Sequence, residues 1–282
     1  MKKGFILVNA YTDNGNELHQ PMRIKEALEQ IGVQVNIVRN SPAALEEGGE
    51  FCVFLDKDKY TARKLERRMR LFNRASAIEV CDDKMLTQIA LENRFPMPRT
   101  IASSLCYTPR CQVPESFIKV LEEELNYPIV VKECHGSLGR QVYLARNREE
   151  LVELAERLKT VPHLFQKFIS ESAGQDIRVI VIGGKAVAAM RRVSDGDFRS
   201  NASLGGRGEL YPVDESIKSL CEQVSKTLCL DYCGIDLLLG RDGYLVCEVN
   251  SNAFFGTFER VTGIDVAAMY ARHIYAEVYG KN

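Results

Sequence analysis

The sequence lacks the features that would mark it as a membrane protein or a nucleic-acid-binding protein. No apolar run comes near the roughly 20 residues that a membrane-spanning helix needs. The formal net charge of -1 offers no excess charge of either sign for a nucleic-acid or membrane surface. The N-terminal apolar run extends only from Phe5 to Val8, which is too short for a signal peptide. We therefore expect a cytoplasmic protein with no nucleic-acid partner and no membrane partner.

The nine cysteines lack the spacing of a metal or redox motif. No pair forms CxxC, and Cys229 and Cys233 have no histidine nearby that could complete a metal site. Several cysteines lie inside apolar segments such as "FCVFL" and "YLVCEV". We expect buried, reduced thiols with no catalytic role, as is typical of a cytosolic protein.

The alternation of apolar and amphipathic segments predicts an α/β fold for the first part of the chain. The predicted elements there are strands at 4–10, 33–40 and 49–56 and helices at 16–32 and 59–72. Strands that alternate with helices indicate a small parallel sheet covered by helices. From residue 163 onward strands dominate, including a hairpin that turns at Gly183-Gly184.

The stretch "GIDLLLGRDGYLVCEVN" predicts a β-hairpin that brings two acids together. A three-residue turn ending at Gly243, with this glycine in the left-handed region, pairs residue 240 with residue 244. Asp236 then lies directly opposite Glu248 on one face of the strand pair. Opposed residues have Cβ atoms roughly 5 Å apart, where like charges are destabilising.

A divalent cation would remove this conflict between the two acids. Two carboxylates at low dielectric repel each other or force one of them to stay protonated. Asn250 points to the same face as Glu248, so the set with Asp236 contains oxygen ligands alone. Such a set favours Mg²⁺ or Mn²⁺ over zinc, and Mg²⁺ held by few carboxylates usually also binds nucleotide phosphates. The alternative is an edge strand whose acids face solvent, which the apolar neighbours on both faces disfavour.

Two glycine-bearing loops could bind anions. In "VVKECHGSLGRQV", Lys132 ends an apolar strand, and Gly136, Ser137 and Gly139 allow backbone N–H groups to converge on a phosphate. The order of a Walker loop is absent, and a plain hairpin turn explains this segment equally well. In "MRRVSDGDFRSN", arginines precede a polar loop and could stabilise a transferring phosphoryl group; a surface loop is the alternative.

In order and spacing, five segments resemble the ATP-grasp superfamily, specifically its RimK-like carboxylate–amine (α-L-glutamate) ligases. They are "CDDKMLTQIAL", "PIVVKECHGSLG", "QKFISESAGQDIRVIVIGG", "MRRVSDGDFRSN" and "GIDLLL…EVN…TGIDVA". The resemblance implies an α/β protein that is α+β in its catalytic part. It implies an N-terminal parallel α/β domain at 1–83, a central ATP-grasp subdomain at 84–163 and a C-terminal subdomain with the metal site at 164–282. ATP would lie between two antiparallel sheets.

The resemblance also implies roles for individual residues. Lys84 and Lys132 would contact the nucleotide phosphates, the 136–139 loop would cover them, and the 166–169 hinge would read adenine. The full nucleotide-binding set is Lys84, Lys132, Gly136, Ser137, Gly139, Gln166, Lys167, Phe168, Ile169, Glu171, Asp176 and Asp197. Arg191 and Asn201 would face an acyl phosphate, with Arg192 and Arg199 as weaker candidates. Two Mg²⁺ or Mn²⁺ ions would be held by Asp236, Glu248 and Asn250.

The implied reaction is amide formation through an acyl phosphate. ATP would phosphorylate a carboxylate of a small molecule, peptide or protein, and the amine of an amino acid such as glutamate would displace the phosphate. Residues 1–71 and Phe254–Phe258 are expected to decide the acceptor. The family resemblance implies a homodimer or homotetramer. A phosphotransferase on the same scaffold and a catalytically silent nucleotide-binding regulator stay open as alternatives.

Overall fold

The computed structural model describes residues 2–12, 18–108, 110–194, 196–200 and 207–280. The N-terminal part is a four-stranded parallel sheet in the order β2-β1-β3-β4. Its strands are β1 (Lys3–Val8), β2 (Gln34–Arg39), β3 (Phe51–Leu55) and β4 (Arg70–Phe72), and its helices are α1 (His19–Gln30), α2 (Lys59–Glu66) and α3 (Ala75–Asp82). This architecture confirms the predicted parallel α/β part.

The parallel sheet is covered on both faces, which explains its continuous apolar strands. In β1, Ile6 and Val8 pack in a cluster with residues of α1. Phe5 and Leu7 point to the other face and pack in a cluster that includes residues of α2. All four side chains are buried, so neither face of this strand could carry a polar group without leaving it in the core.

The middle of the chain forms a four-stranded antiparallel sheet in the order β5-β8-β6-β7. Its elements are α4 (Lys84–Leu91), β5 (Thr100–Ala102), α5 (Glu115–Leu125), β6 (Ile129–Glu133), β7 (Val142–Ala145), α6 (Arg148–Leu158) and β8 (His163–Lys167). Because β8 pairs with β5 and β6, it belongs to this sheet and not to the part that follows. The sheet therefore extends beyond the predicted boundary between residues 163 and 164; the division of the chain into three domains stays a prediction.

The last part forms a five-stranded antiparallel sheet in the order β11-β10-β9-β12-β13. Its elements are β9 (Gln175–Ile182), β10 (Lys185–Val193), β11 (Arg207–Tyr211), α7 (Glu215–Thr227), β12 (Tyr232–Gly240), β13 (Gly243–Asn250), α8 (Gly256–Thr262) and α9 (Val266–Tyr279). One face packs on α7 through residues such as Val179 and Val224. Residues of the opposite face, including Ile180 and Tyr232, share a core cluster with β1, α1 and α9. The N-terminal and C-terminal sheets are thus joined by one apolar core.

A buried amide fastens the N-terminal sheet to the C-terminal one. Asn73 follows β4 directly and is almost fully buried. Its Nδ2 donates to the carbonyl oxygens of Tyr232 and Ser251, at 2.8 Å each. Its Oδ1 accepts from the backbone N–H groups of Asp231 at 2.7 Å and of Tyr232 at 3.0 Å. Four hydrogen bonds from one side chain therefore position the start of β12 and the end of β13.

The cysteines follow the expected burial only in part. Five of the nine are buried, namely Cys52, Cys81, Cys134, Cys221 and Cys233, while Cys111 and Cys229 are exposed. Burial raises the pKa of the Cys134 thiol to about 11, so this thiol stays protonated near neutral pH. In the part of the chain that the structure describes, no helix is long and apolar enough to cross a membrane.

Candidate active site

A cavity of about 530 Å³ lies where the N-terminal part meets the C-terminal sheet and the loop after β6. The N-terminal part contributes residues at the ends of β1 and β3, the start of α1 and the α3–α4 junction. The C-terminal sheet contributes residues of β9, β10 and β13 together with the segment that follows β13. Charged side chains from the two parts face this space: Asp56, Lys57, Asp82, Lys84, Arg178, Arg192 and Glu248. Tertiary packing thus gathers ionic groups that are distant in the sequence.

Lys84 ties three elements together at this cavity. The preceding residue, Asp83, caps α4 by accepting hydrogen bonds from the next two N–H groups of the helix. Lys84 therefore lies at the first helical position, where its Nζ donates to the Gly136 carbonyl oxygen at 3.3 Å. The same Nζ lies 3.6 Å from Glu248 Oε1, and the lysine side chain is 14% exposed. The helix, the loop after β6 and strand β13 thus share one cation.

The loop after β6 has a backbone that requires glycine at its start. Gly136 has a φ of +146°, and a Cβ atom at this position would lie 2.5 Å from Gln141 Oε1. Both the backbone conformation and the side-chain contact therefore exclude an ordinary L-residue. Gly136, Ser137 and Gly139 line the cavity. The interpretation of this loop as more than a plain hairpin turn gains support from that position.

The hairpin formed by β12 and β13 places Asp236 opposite Glu248, as the sequence predicts. The turn itself differs from the prediction, because Gly240 pairs with Gly243 and the loop has two residues. A shift of one residue would send the two acids to opposite faces. The pairing between Asp236 and Leu237 contains an irregularity that restores the register. The predicted pairing of the acids is therefore confirmed, whereas the predicted turn is wrong.

Two arginines compensate the charge of Asp236. Its carboxylate is 5% exposed and accepts hydrogen bonds from Nε and Nη2 of Arg178, the second at 2.7 Å. Arg192 Nη2 lies 2.9 Å from Asp236 Oδ2 and also pairs with Asp176 at 2.5 Å. Burial alone would raise the pKa of Asp236, but the two guanidinium groups outweigh burial and lower it. The acid therefore stays ionised in the core.

The predicted metal ligands divide between this ionic cluster and the cavity. Glu248 and Asn250 line the cavity, while Asp236 is held by the arginines. Asn250 Nδ2 is buried without a hydrogen-bond partner, so this amide has unused polar capacity. No cluster of three or more His, Cys, Asp or Glu side chains suited to a metal ion occurs within the described ranges. One carboxylate and one amide beside Lys84 nevertheless fit Mg²⁺ bound jointly with phosphate oxygens. The metal site stays a prediction.

The arginines of β10 fall on opposite sides of the strand. Arg192 is buried and lines the cavity. Arg191 donates instead to Gln175 Oε1, at 2.9 Å from Nε and 2.6 Å from Nη2, and its side chain is 39% exposed. Adjacent strand residues must point to opposite faces, which explains the difference. The role predicted for Arg191 stays a prediction, and Asn201 lies outside the described residues.

The residues predicted to hold adenine and ribose lie apart from the cavity lining. Gln166 is buried in β8 and donates to Thr100 Oγ1 at 2.9 Å. After Lys167 at the end of β8 and the following Ile169, Glu171 pairs with Arg241 at 2.9 Å on the surface. The Phe168 ring contacts that of Phe198, with their centroids 6.5 Å apart.

Two further predicted residues lie close to other parts of the site. Lys132 Nζ lies 3.5 Å from Cys247 Sγ, which connects β6 to β13 across the two antiparallel sheets. Asp197 pairs with Arg199 at 2.7 Å, and Arg199 Nη1 donates to the Gly139 carbonyl oxygen at 2.8 Å. The loop after β10 therefore contacts the glycine loop after β6.

The sequence interpretation missed Arg178 and Gln20. Arg178 lies two residues after Asp176 in β9 and so points to the same face, which is a signal the strand pattern contains. Gln20 lies in the first turn of α1 and lines the cavity. No local pattern distinguishes Gln20 from an ordinary polar helix residue.

The arrangement of two antiparallel sheets after a parallel one is that of the ATP-grasp fold. The solved structure of the ATP-grasp ligase PsnB, complexed with minimal precursor, Mg and ADP, covers 97% of this chain and 98% of its own. The TM-score is 0.69 at 17% sequence identity, which establishes a shared fold. The predicted fold class is confirmed.

Residues 83–274 match the family model of the RimK-like ATP-grasp domain. The chain therefore belongs to the RimK-like ATP-grasp family, as the sequence motifs predict. It is 40% identical over 223 residues to human N-acetylaspartylglutamate synthase A, covering 77% of this chain and 55% of that protein. Human beta-citrylglutamate synthase B is also 40% identical over 223 residues, with 77% and 56% covered. The chain spans about half the length of these curated relatives.

Proposed function

We propose that this protein is an ATP-dependent ligase that joins an amine to a carboxylate through an acyl phosphate. One observation carries the proposal: Lys84, Glu248, Arg178, Arg192 and the glycine loop after β6 converge on a single cavity. Its volume of about 530 Å³ lies within the usual range for small-molecule sites, roughly 300–1,000 Å³. Cations, an acid and flexible backbone in one space are the components that phosphoryl transfer requires.

The nucleotide phosphates would lie between Lys84 and the glycine loop. Lys84 already touches that loop and Glu248, so one ammonium group can neutralise charge where these elements meet. The backbone of Gly136, Ser137 and Gly139 can approach an anion closely. Adenine would lie toward Lys132 and the segment from Gln166 to Ile169, as the family resemblance implies.

Glu248 and Asn250, with Asp236 behind them, would hold Mg²⁺ or Mn²⁺. A bound divalent ion would supply neutralisation of the negative charge on the phosphate oxygens. Asp236 has a further function that the structure favours: it orients Arg178 and Arg192, which line the cavity. The number of ions is part of the prediction made from the sequence.

The reaction would proceed in two displacements. A substrate carboxylate oxygen attacks the γ-phosphorus of ATP, the bond to the β-phosphate oxygen breaks, and ADP leaves. The amine nitrogen then attacks the acyl carbon, phosphate leaves with the bonding electrons, and the amine loses a proton. Arg178 and Arg192 would stabilise the oxyanion at the acyl carbon, because both guanidinium groups are held in place before substrate binds. Arg191 and Asn201 remain candidates for the same role.

Glutamate is the first amine substrate to test. Both human relatives carry a glutamate-containing product in their names, which supports an α-amino acid with a second carboxylate. The cationic residues Arg178 and Arg192 suit such an anionic substrate. The carboxylate substrate would be a small molecule or the end of a peptide or protein.

The test is ADP release by the purified protein with Mg²⁺, amino acids and carboxylates combined in pairs. We expect turnover that requires both substrates, with an amide found by mass spectrometry. A stable phosphorylated product would instead support a phosphotransferase. Nucleotide binding without turnover in any pair would support a regulator.

Glu248→Gln should lower turnover by a factor of about 100 or more, since it removes a charge at the phosphate site while keeping the shape of the side chain. The matched control is Asp242→Asn, which makes the same change at the exposed turn of the same hairpin. Equal activity of the two variants would contradict the proposed site.

A further inference from the structure

Gln20 presents an unused hydrogen-bond acceptor at the cavity. Its side chain lines the cavity although the residue is only 3% exposed. The Oε1 atom is buried and has no hydrogen-bond partner. A buried polar atom without a partner is destabilising, so a ligand that supplies the missing partner recovers that free energy.

The orientation of the Gln20 amide follows from its neighbours. Nε2 donates to the carbonyl oxygen of Ala253 at 3.2 Å and to Asn252 Oδ1 at 3.2 Å. A backbone carbonyl oxygen can only accept, so the amide nitrogen must face Ala253. The opposite orientation would place two oxygens against each other. Oε1 is therefore the atom left for a ligand, and only a ligand with an N–H or O–H group can bind it.

Gln20 also lies close to the arginine cluster. The Ala253 carbonyl oxygen that accepts from Gln20 belongs to a residue packed on Gly234, since a Cβ at Gly234 would lie 2.5 Å from Ala253 Cβ and 2.9 Å from Arg178 Cδ. Gly234 thus allows the segment after β13 to approach Arg178. An acceptor from α1 and a donor from β9 lie on either side of this short contact.

We propose that Gln20 binds the N–H group of the amine substrate through Oε1, while Arg178 and Arg192 face the acyl group that the amine attacks. This inference rests on the proposed ligase function and adds a binding residue from the N-terminal part of the chain. An amide oxygen suits the task because it is neutral. A carboxylate in its place would stabilise the protonated ammonium form, which has no lone pair for attack.

The experiment compares Gln20→Met with Gln30→Met in steady-state ligation. Methionine keeps the length of the side chain but removes the acceptor, and Gln30 is an exposed glutamine at the end of the same helix. Gln20→Met should raise the KM for the amine about tenfold and change the KM values for ATP and the carboxylate less than about twofold. Gln30→Met should leave all three within about twofold of the unaltered protein.

A second reaction separates amine binding from formation of the acyl phosphate. Hydroxylamine at saturating concentration traps acyl phosphates as hydroxamates, so Gln20→Met should form hydroxamate at the rate of the unaltered protein. Loss of hydroxamate together with ligation would show that Gln20 serves the fold or the phosphorylation step, and the assignment would be wrong. A raised KM for the carboxylate in place of the amine would also overturn it.

A third measurement uses the unaltered protein and so does not depend on a variant that folds. The N-methyl derivative of the amine substrate has one N–H fewer, and its KM should be about tenfold higher. An equal KM for the two amines would contradict the assignment. Absence of any amide or hydroxamate from the unaltered protein would instead refute the ligase function itself.

Discussion

In the N-terminal parallel sheet, polar side chains at the cavity follow the last residue of a strand, whereas in the C-terminal antiparallel sheet they lie within the strands. Asn9, Asn40 and Asp56 come directly after β1, β2 and β3. Asp56 accepts from Asn9 Nδ2 at 2.9 Å and from Asn40 Nδ2 at 2.7 Å. The three strand ends are thus joined by a small polar network at the edge of the sheet.

The C-terminal sheet carries its charges in the middle of the strands. Asp176 and Arg178 lie in β9, Arg192 in β10 and Asp236 in β12. All four point to one face of the sheet, and each acid is paired with a guanidinium group. This arrangement allows a dense ionic surface to form without breaking a strand.

The difference follows from which faces are covered. A parallel sheet packed with helices on both faces leaves polar groups only the carboxyl ends of its strands. The antiparallel sheet covers one face with α7 and borders the cavity with part of the other. Mid-strand polar residues there meet a ligand site instead of a core. The predictions below test whether burial of the charges, and not the type of sheet, sets their energetic weight.

The largest effect is expected from Arg192→Met. The substitution leaves Asp176 and Asp236 without a shared cation in a buried site, and loss of one partner of a buried pair costs about 3–5 kcal/mol. Urea unfolding should show a decrease of this size in the free energy of unfolding. Arg191→Met is the matched control on the same strand, with an expected change within about 0.5 kcal/mol because its side chain is partly exposed. Similar losses in both variants would contradict the role of burial.

A smaller effect is expected from Asp56→Ala in the parallel sheet. The variant removes the acceptor of Asn9 Nδ2 and Asn40 Nδ2, but water at the cavity edge can replace part of it. The free energy of unfolding should fall by about 1–3 kcal/mol. Glu47→Ala, at an exposed position between β2 and β3, should change it by no more than about 0.5 kcal/mol. A loss above that of Arg192→Met would reverse the comparison.

The smallest effect is expected from the pair of Asp197 and Arg199, which lies in the C-terminal part but is partly exposed. The hydrogen bond from Arg199 lowers the pKa of Asp197 below its ordinary value of 3.8. A lowered pKa in the folded state means that the stabilisation is present above 3.8 and is lost as pH falls through the folded-state pKa. Asp197→Asn should therefore lower the free energy of unfolding by less than about 1 kcal/mol near neutral pH.

The same variant gives a check on the sign of this pH dependence. The difference between the unaltered protein and Asp197→Asn should shrink as unfolding is measured at progressively lower pH below 3.8. A difference that stays constant across this range would show that the carboxylate charge contributes nothing.

Local patterns in the sequence predict much of the fold. The apolar runs of β1 and β3 indicate buried parallel strands, and the acids of the β12–β13 hairpin are predicted to face each other, as they do. The two-residue turn with its compensating irregularity escapes such a prediction. The reason is that register depends on how β12 is held by β9 on its other side.

The site is less accessible to sequence reasoning because its contacts are long-range. Arg178 is 58 residues from Asp236, and Gln20 is 232 residues from Asn252. Neither pairing has a periodicity that a local pattern could reveal. The motif around Arg191 and Arg192 likewise does not indicate which arginine faces the cavity, since that depends on which face of β10 is covered.

The order of residues along the chain by itself determined the family, the alternation of helices and strands and the opposition of Asp236 and Glu248, because each depends on neighbours within a few residues or across one turn. Only the tertiary structure decided that arginines neutralise Asp236, that Lys84 reaches Glu248 and that Gln20 offers a free oxygen. Packing of the shared core sets these distances, and burial makes each polar contact strong enough to matter.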